Sequence, residues 1–151
     1  MSPPSPSPRL AARAIILQAG KLLLVNAYPE GQSDLWCVPG GGVERHSSLK
    51  ENLAREVWEE CGLTVAVHDP CLINEFHDPS GSFHQVDIYF RCTITEGSLS
   101  RDWKDPENIV TERRFFSPEE LTQVRFKPDS LPDVAWGTGL TYDPLEPIVK
   151  P

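Results

Sequence analysis

Three glutamates, Glu56, Glu59 and Glu60, stand three or four residues apart or adjacent within a stretch of helical periodicity, so their carboxylates share one helix face. Like charges at that spacing repel, each pair costing roughly 0.2–0.5 kcal/mol on an isolated helix. A divalent cation would offset that cost. Hard oxygen donors in a cluster suit Mg²⁺ or Mn²⁺, which enzymes commonly share between carboxylates and phosphate groups. On charge alone, a solvated acidic face explains the glutamates as well. The residues before them favour the cation: Trp36-Cys37-Val38-Pro39 is an apolar run that ends in Gly40-Gly41-Gly42, where bare backbone can approach a ligand.

The helix that must carry the acids has readable ends. Ser48 followed by Glu51 predicts a capping box with helix starting near Leu49, and Gly62 predicts its stop. Leu49, Leu53, Val57 and Cys61 recur every fourth residue, with Ala54 beside them, and form the stripe that faces the core. The carboxylates are therefore expected to face away from the core, toward the glycine turn.

Residues 41–63 resemble the box of the Nudix hydrolases, G-x5-E-x7-R-E-U-x-E-E-x-G-U with U a bulky aliphatic residue. Gly41, Arg55, Glu56, Val57, Glu59, Glu60, Gly62 and Leu63 fall on its fixed positions. Chance agreement of this extent is on the order of 10⁻⁷ per window at average residue frequencies. One fixed position departs: Ser47 stands where the family has its first glutamate, after His46 where glycine is usual. The resemblance implies an α+β fold, an α/β/α sandwich around a mixed central sheet. It implies hydrolysis of a nucleoside diphosphate linked to another group, such as an ADP-ribose-like nucleotide-sugar, with Mg²⁺ or Mn²⁺ as cofactor. By similarity the carbonyl of Gly40 and the carboxylates of Glu56, Glu59 and Glu60 hold the metal. Glu56 is also the residue expected to act on the attacking water, and Arg55 to orient the carboxylates. Family members often recruit one more acid before the second helix, and Glu107 and Glu112 are both candidates.

Ser47 cannot supply the charge that a glutamate there would give Arg55. Losses among groups that orient metal ligands typically cost ~10–100-fold in affinity or activity. Arg55 is expected to find another partner, Glu51 one turn earlier or an acid from elsewhere. The alternative function is a weakened Nudix scaffold that acts as a nucleotide-binding regulatory module.

Composition narrows the classes. A chain of 151 residues with net charge −8 is a single domain without the basic surface that a nucleic-acid polymer demands. A small anionic nucleotide remains a suitable partner where metal reverses the local field. Cys37, Cys61, Cys71 and Cys92 lack C-x-x-C spacing and sit in apolar contexts, which predicts buried free thiols and a cytoplasmic protein. The first residues lack the plan of a signal peptide, and no run approaches the ~20 apolar residues of a membrane span.

Along the chain, residues 1–9 are Ser/Pro-rich and predict a flexible arm. Residues 10–125 form the domain: a hairpin about Ala19-Gly20, a strand at 35–38, and the acid-bearing helix. Strand-like runs follow at 63–68 and 71–76, then the Asp78-Gly81 turn and a long strand at 83–95, alternating on two faces. A strand at 109–116 precedes Ser117-Pro118-Glu119-Glu120, a second capping box. Residues 126–151 are Pro-rich yet carry Trp136, Leu140, Tyr142 and Ile148, too apolar for a free linker; they are expected to pack on the domain or on the partner subunit of a homodimer. For substrate, Arg13, His84 and Arg91 are candidate phosphate contacts and Tyr28, Trp36, Phe83 and Trp103 candidate stacking platforms, with a core role favoured for Trp36. His77 and His84 flank one turn but lack a third ligand at metal spacing.

Overall fold

A tight hairpin opens the fold. Strand β1 (Arg9–Gln18) turns at Ala19 and Gly20, both at positive φ, into β2 (Lys21–Asn26). Two positive-φ residues in a two-residue loop match the right-handed twist of the strands they join. The computed structural model describes residues 7–27 and 32–148. Arg9 already belongs to β1, so the strand begins one residue inside the expected arm, most of which lies outside the described residues.

After β3 (Leu35–Trp36), the three glycines are not a turn. They form β4 (Gly40–Gly42), antiparallel to β1 with Gly40 opposite Arg13. A side chain at Gly40 would meet the carbonyl oxygen of Ala12 at 2.2 Å, and one at Gly41 would meet the Glu56 carboxyl at 2.9 Å. The glycines thus let a strand lie flush against both its neighbour and the acid-bearing helix.

Helix α1 (Leu49–Cys61) starts where Ser48 accepts the Glu51 N–H at 3.1 Å and ends at Gly62. Leu53, Val57 and Cys61 are fully buried against Ala12, Ala14, Ile16, Leu23, Phe90 and Cys92. The two expected strands at 63–68 and 71–76 are one, β5 (Thr64–His77), whose pairing is irregular around Pro70 because proline cannot donate to the ladder. β6 (His84–Glu96) pairs antiparallel with β5 and parallel with β1. β7 (Glu112–Phe116) begins three residues later than the periodicity suggests and pairs with β2. The one-turn helix α2 (Pro118–Leu121) carries the full capping box of Ser117 and Glu120. β8 (Arg125–Phe126) pairs with β3 in a small second sheet.

The large sheet is mixed, in the order β5-β6-β1-β2-β7. On β1 and β2 the even and odd residues part: Ala12, Ala14, Leu23 and Val25 face α1, whereas Ile15, Leu22 and Leu24 face Leu121, Leu131 and Val134. A sheet apolar on both faces needs cover on both, and helices on the two sides supply it. The cover includes α3 (Leu131–Ala135). Beyond α3, β9 (Thr141–Tyr142) and β10 (Glu146–Pro147) run parallel along the outer edge of β5. All four cysteines are free thiols. No helix among the described residues is long and apolar enough to cross a membrane.

Candidate active site

Glu56, Glu59 and Glu107 bring one carboxylate oxygen each to within 4.8 Å of one another. Two come from adjacent turns of α1, as their spacing requires. The third arrives from a loop far along the chain, and Asp105 is what delivers it: its carboxylate accepts the N–H groups of Glu107 (2.9 Å), Ile109 (3.1 Å) and Val110 (2.9 Å). Trp103 anchors the same loop on the helix, donating its indole N–H to the Glu59 carbonyl at 2.8 Å and lying against Trp58 and Gly62. Of the two extra acids, Glu107 joins the cluster; Glu112 stands exposed at the start of β7, paired with Asn26, outside it.

Glu60 behaves differently. It does not face solvent with its neighbours but is buried, accepting the Gly40 N–H at 2.9 Å. Burial pushes its carboxyl up to about 8, against the opposing pull of that N–H and of Arg13, with Glu56 and Asp105 adding to the rise. The Glu56 carboxyl is raised as well, first by burial, with Arg55 opposing and Glu107 and Glu59 adding. Glu60 therefore ties α1 to β4, while Glu56, Glu59 and Glu107 form the open acid cluster.

Arg55 holds the cluster's geometry. It donates to both oxygens of Glu59 at 3.1 Å, to Glu56 at 3.3 Å and to the side-chain oxygen of Asn52 at 3.2 Å, and it pairs with Glu44 at 3.4 Å. Glu51 is not among these partners; Glu44, from the turn before the helix, supplies the charge that Ser47 lacks. Asn52 had no functional signal in the sequence beyond being a polar residue next to an apolar stripe. It is 1% exposed, and besides Arg55 it accepts the Glu44 N–H and donates to the Gly42 carbonyl, each at 3.1 Å. His46 takes φ 71°, the left-handed conformation that explains a glycine preference there.

On the other face of the sheet lies a cleft of about 270 Å³. Its floor is a polar chain across β1 and β6. Arg9 donates to Gln85 (2.7 Å), Gln85 to Asp87 (2.6 Å), and Arg13 to Asp87 (3.4 Å). Arg13 thus lies in the cleft opposite Gly40, and Arg9, which pattern reasoning left in the arm, packs its guanidinium over Gly42. Phe83 also lines the cleft. Arg91 does not: it donates to the carbonyls of Val134 and Gly139 and secures the chain beyond α3. The His84 ring stands 6.0 Å from His77 across the hairpin, outside the acid cluster. Trp36 packs edge-on against Phe116 in the second core, and Trp103 is the loop anchor, so neither is a free platform. Tyr28 lies outside the described residues.

The NUDIX domain family model matches residues 7–136. Among curated proteins, diphosphoinositol polyphosphate phosphohydrolase 2 of Rattus norvegicus is 36% identical over 109 residues, 71% of this chain and 55% of that protein. A Bacillus subtilis protein named for ADP-ribose pyrophosphatase activity is 27% identical over 118 residues, 76% of this chain and 52% of that protein. The chain spans about half the length of the curated relatives it matches. Among solved structures, that of a UDP-X diphosphatase superposes with a TM-score of 0.71 at 22% identity, covering 95% of this chain and 70% of the other, a likeness of fold.

Proposed function

The chain belongs to the Nudix family, and from that premise we propose that it is a metal-dependent pyrophosphohydrolase that cleaves the diphosphate of a nucleoside diphosphate linked to another group. The observation that carries this reading is the convergence of Glu56, Glu59 and Glu107 within 4.8 Å beside the glycine strand. Three carboxylates at that separation, with Arg55 pairing two of them and the Glu56 carboxyl pushed up, fit a divalent cation of the Mg²⁺ or Mn²⁺ type. Glu56, Glu59 and Glu107 would hold it, with the Gly40 carbonyl and Glu60 at the edge of the set. When bound, such an ion neutralises a diphosphate and lowers the pKa of a coordinated water.

The protein's own groups supply the rest. Arg55 spans Glu56 and Glu59, so their oxygens are held in place before any ligand arrives. Glu56, against Gly41 and with its carboxyl pushed up by burial, would take the proton of an attacking water. Glu60 fixes Gly40 through its N–H and thereby sets the distance between the glycine strand and the acids. Arg9, beside Gly42, and Arg13, opposite Gly40, are the cations that would meet a substrate phosphate at the glycine strand. Four free thiols suit a reducing cytoplasm.

The test is a panel of diphosphate compounds assayed for monophosphate release with and without Mn²⁺. We expect turnover that vanishes in chelator and collapses in Glu56→Gln while the thermal melt stays cooperative. Full turnover in that variant, or without metal, would overturn the reading.

A further inference from the structure

The family match ends at residue 136, yet one wall of the cleft lies beyond it. Glu146, Pro147 and Ile148 line the cleft together with the residues of its polar floor. This wall is built into the sheet by main-chain bonds. The Asp143 N–H donates to the Ile73 carbonyl at 2.9 Å and the Ile148 N–H to the His77 carbonyl at 2.8 Å, and β9 and β10 lie in register with Leu72, Ile73, Phe76 and His77. Side chains add to it: Asp143 accepts from Asn74 at 2.9 Å and from Ser130 at 2.6 Å, and the Tyr142 hydroxyl bonds Glu75. Arg91 fixes the approach at Val134 and Gly139. So many backbone anchors over so few residues mark a built wall and not a passing strand end.

The chemistry of the lining states what fits inside. Phe76 and Phe83, their ring centroids 5.8 Å apart, and Tyr89 offer aromatic surface. Three cations line the cleft: Arg13 is paired with Asp87 and Lys127 with Asp129 at 3.0 Å, whereas Arg9 bonds the neutral amide of Gln85 and keeps its charge for a single phosphate. Two carboxylates, Asp87 and Glu146, face the same space. A polyphosphorylated ring needs several cations free of ion pairs, and in this lining Arg9 is the one outside an ion pair while Glu146 repels an anion, whereas an uncharged ring needs none and gains from the aromatic surface. A cavity of about 150 Å³ holds benzene, so 270 Å³ admits a larger ring system.

We infer that residues 146–148, anchored to the sheet through residues 141–143, are the specificity-determining wall of the substrate cleft, admitting an uncharged ring such as a nucleobase and excluding a polyphosphorylated ring. This rests on the pyrophosphohydrolase reading only for which part of a substrate the cleft receives. It separates this chain from the substrate class in the name of its 36%-identical relative.

The full chain, labelled for amide NMR, is titrated with adenosine 5′-monophosphate and separately with inositol hexakisphosphate. The nucleotide shifts the amides of Glu146, Ile148 and Phe83, and the polyphosphate does not. Ile148→Trp, which fills the cleft, weakens nucleotide binding about tenfold. Glu146→Lys, which reverses the charge of the wall, strengthens the polyphosphate about tenfold. Tail amides blind to the nucleotide, equal or tighter binding of the polyphosphate to the unaltered chain, or indifference of both ligands to both substitutions overturns the assignment. A chain that hydrolyses no diphosphate yet shows the nucleotide on its tail supports the wall and refutes the reaction.

Discussion

The acid cluster and the cleft are assembled by opposite strategies. Residues between Gly40 and Glu60 supply nearly all of the first, so one strand, one turn and one helix place it, and Glu107 alone comes from afar. The cleft draws on residues near 9–13, 35–37, 74–89, 127–128 and 146–148, five segments that only tertiary pairing brings together. The cluster's side chains are tied by short polar contacts around Arg55 and Asn52; the cleft's wall is tied by main-chain bonds along β5. The lesson is a division of labour. The acids proposed for bond breaking sit on a local, stiff unit, while the surface proposed to select a substrate hangs on long-range pairings that can vary without disturbing the acids.

The sharpest way to break that comparison is to strike the cluster and watch the cleft. Glu56→Gln and Glu60→Gln should each lower kcat/KM by more than the ~100-fold ceiling of orienting-residue losses, with KM nearly unchanged, in steady-state kinetics with Mn²⁺. A comparable rise in KM alone would mean that the two regions are not separable. Next in size is Asn52→Leu, which strands the Gly42 carbonyl and the Glu44 N–H. Left unsatisfied, they cost about 1–3 kcal/mol each, and activity should fall ~10–100-fold, read by a chemical melt and an assay on the same preparation.

The pH dependence of the metal-free protein follows from Glu60. Its folded-state carboxyl sits near 8, above its unfolded value, so between pH 5 and 8 the folded state holds the extra proton. Stability should therefore fall as pH rises through that window and flatten above it. Saturating Mn²⁺ should shrink the slope, because a cation favours the charged form. A metal-free melting temperature that climbs from pH 5 to 8 would contradict the burial of Glu60. A smaller effect is expected of Ser47→Glu. Since Glu44 is exposed and already serves Arg55, the added acid should raise kcat less than tenfold, whereas a regulatory scaffold would gain no rate. The smallest is His46→Gly, which releases a left-handed non-glycine residue and should stabilise by about 1 kcal/mol in urea titration.

Much of the cluster was legible because its determinants are local. The helix ends, the apolar stripe and the spacing of Glu56 and Glu59 are local properties that the structure keeps, although of the expected capping box only the Ser48 half forms. What sequence misread there was direction: the spacing put Glu60 with its neighbours, but the close approach of β4 turned it inward onto Gly40. The glycines read as a turn because glycine permits one, and they became a strand because only a residue without a side chain fits between Ala12 and Glu56. Strand alternation lets Arg91 point toward a ligand, but its partners are carbonyls more than forty residues later in the chain.

By itself the amino-acid sequence determined the family, the acid-bearing helix and its ends, and the two-faced strands, all properties set by near neighbours and by periodicity. Tertiary structure alone decided between Glu107 and Glu112, supplied Glu44 and Asn52 to Arg55, and laid the final strands along β5 as a wall. Those outcomes depend on which distant segments become adjacent, and chain spacing carries no measure of distance across a fold.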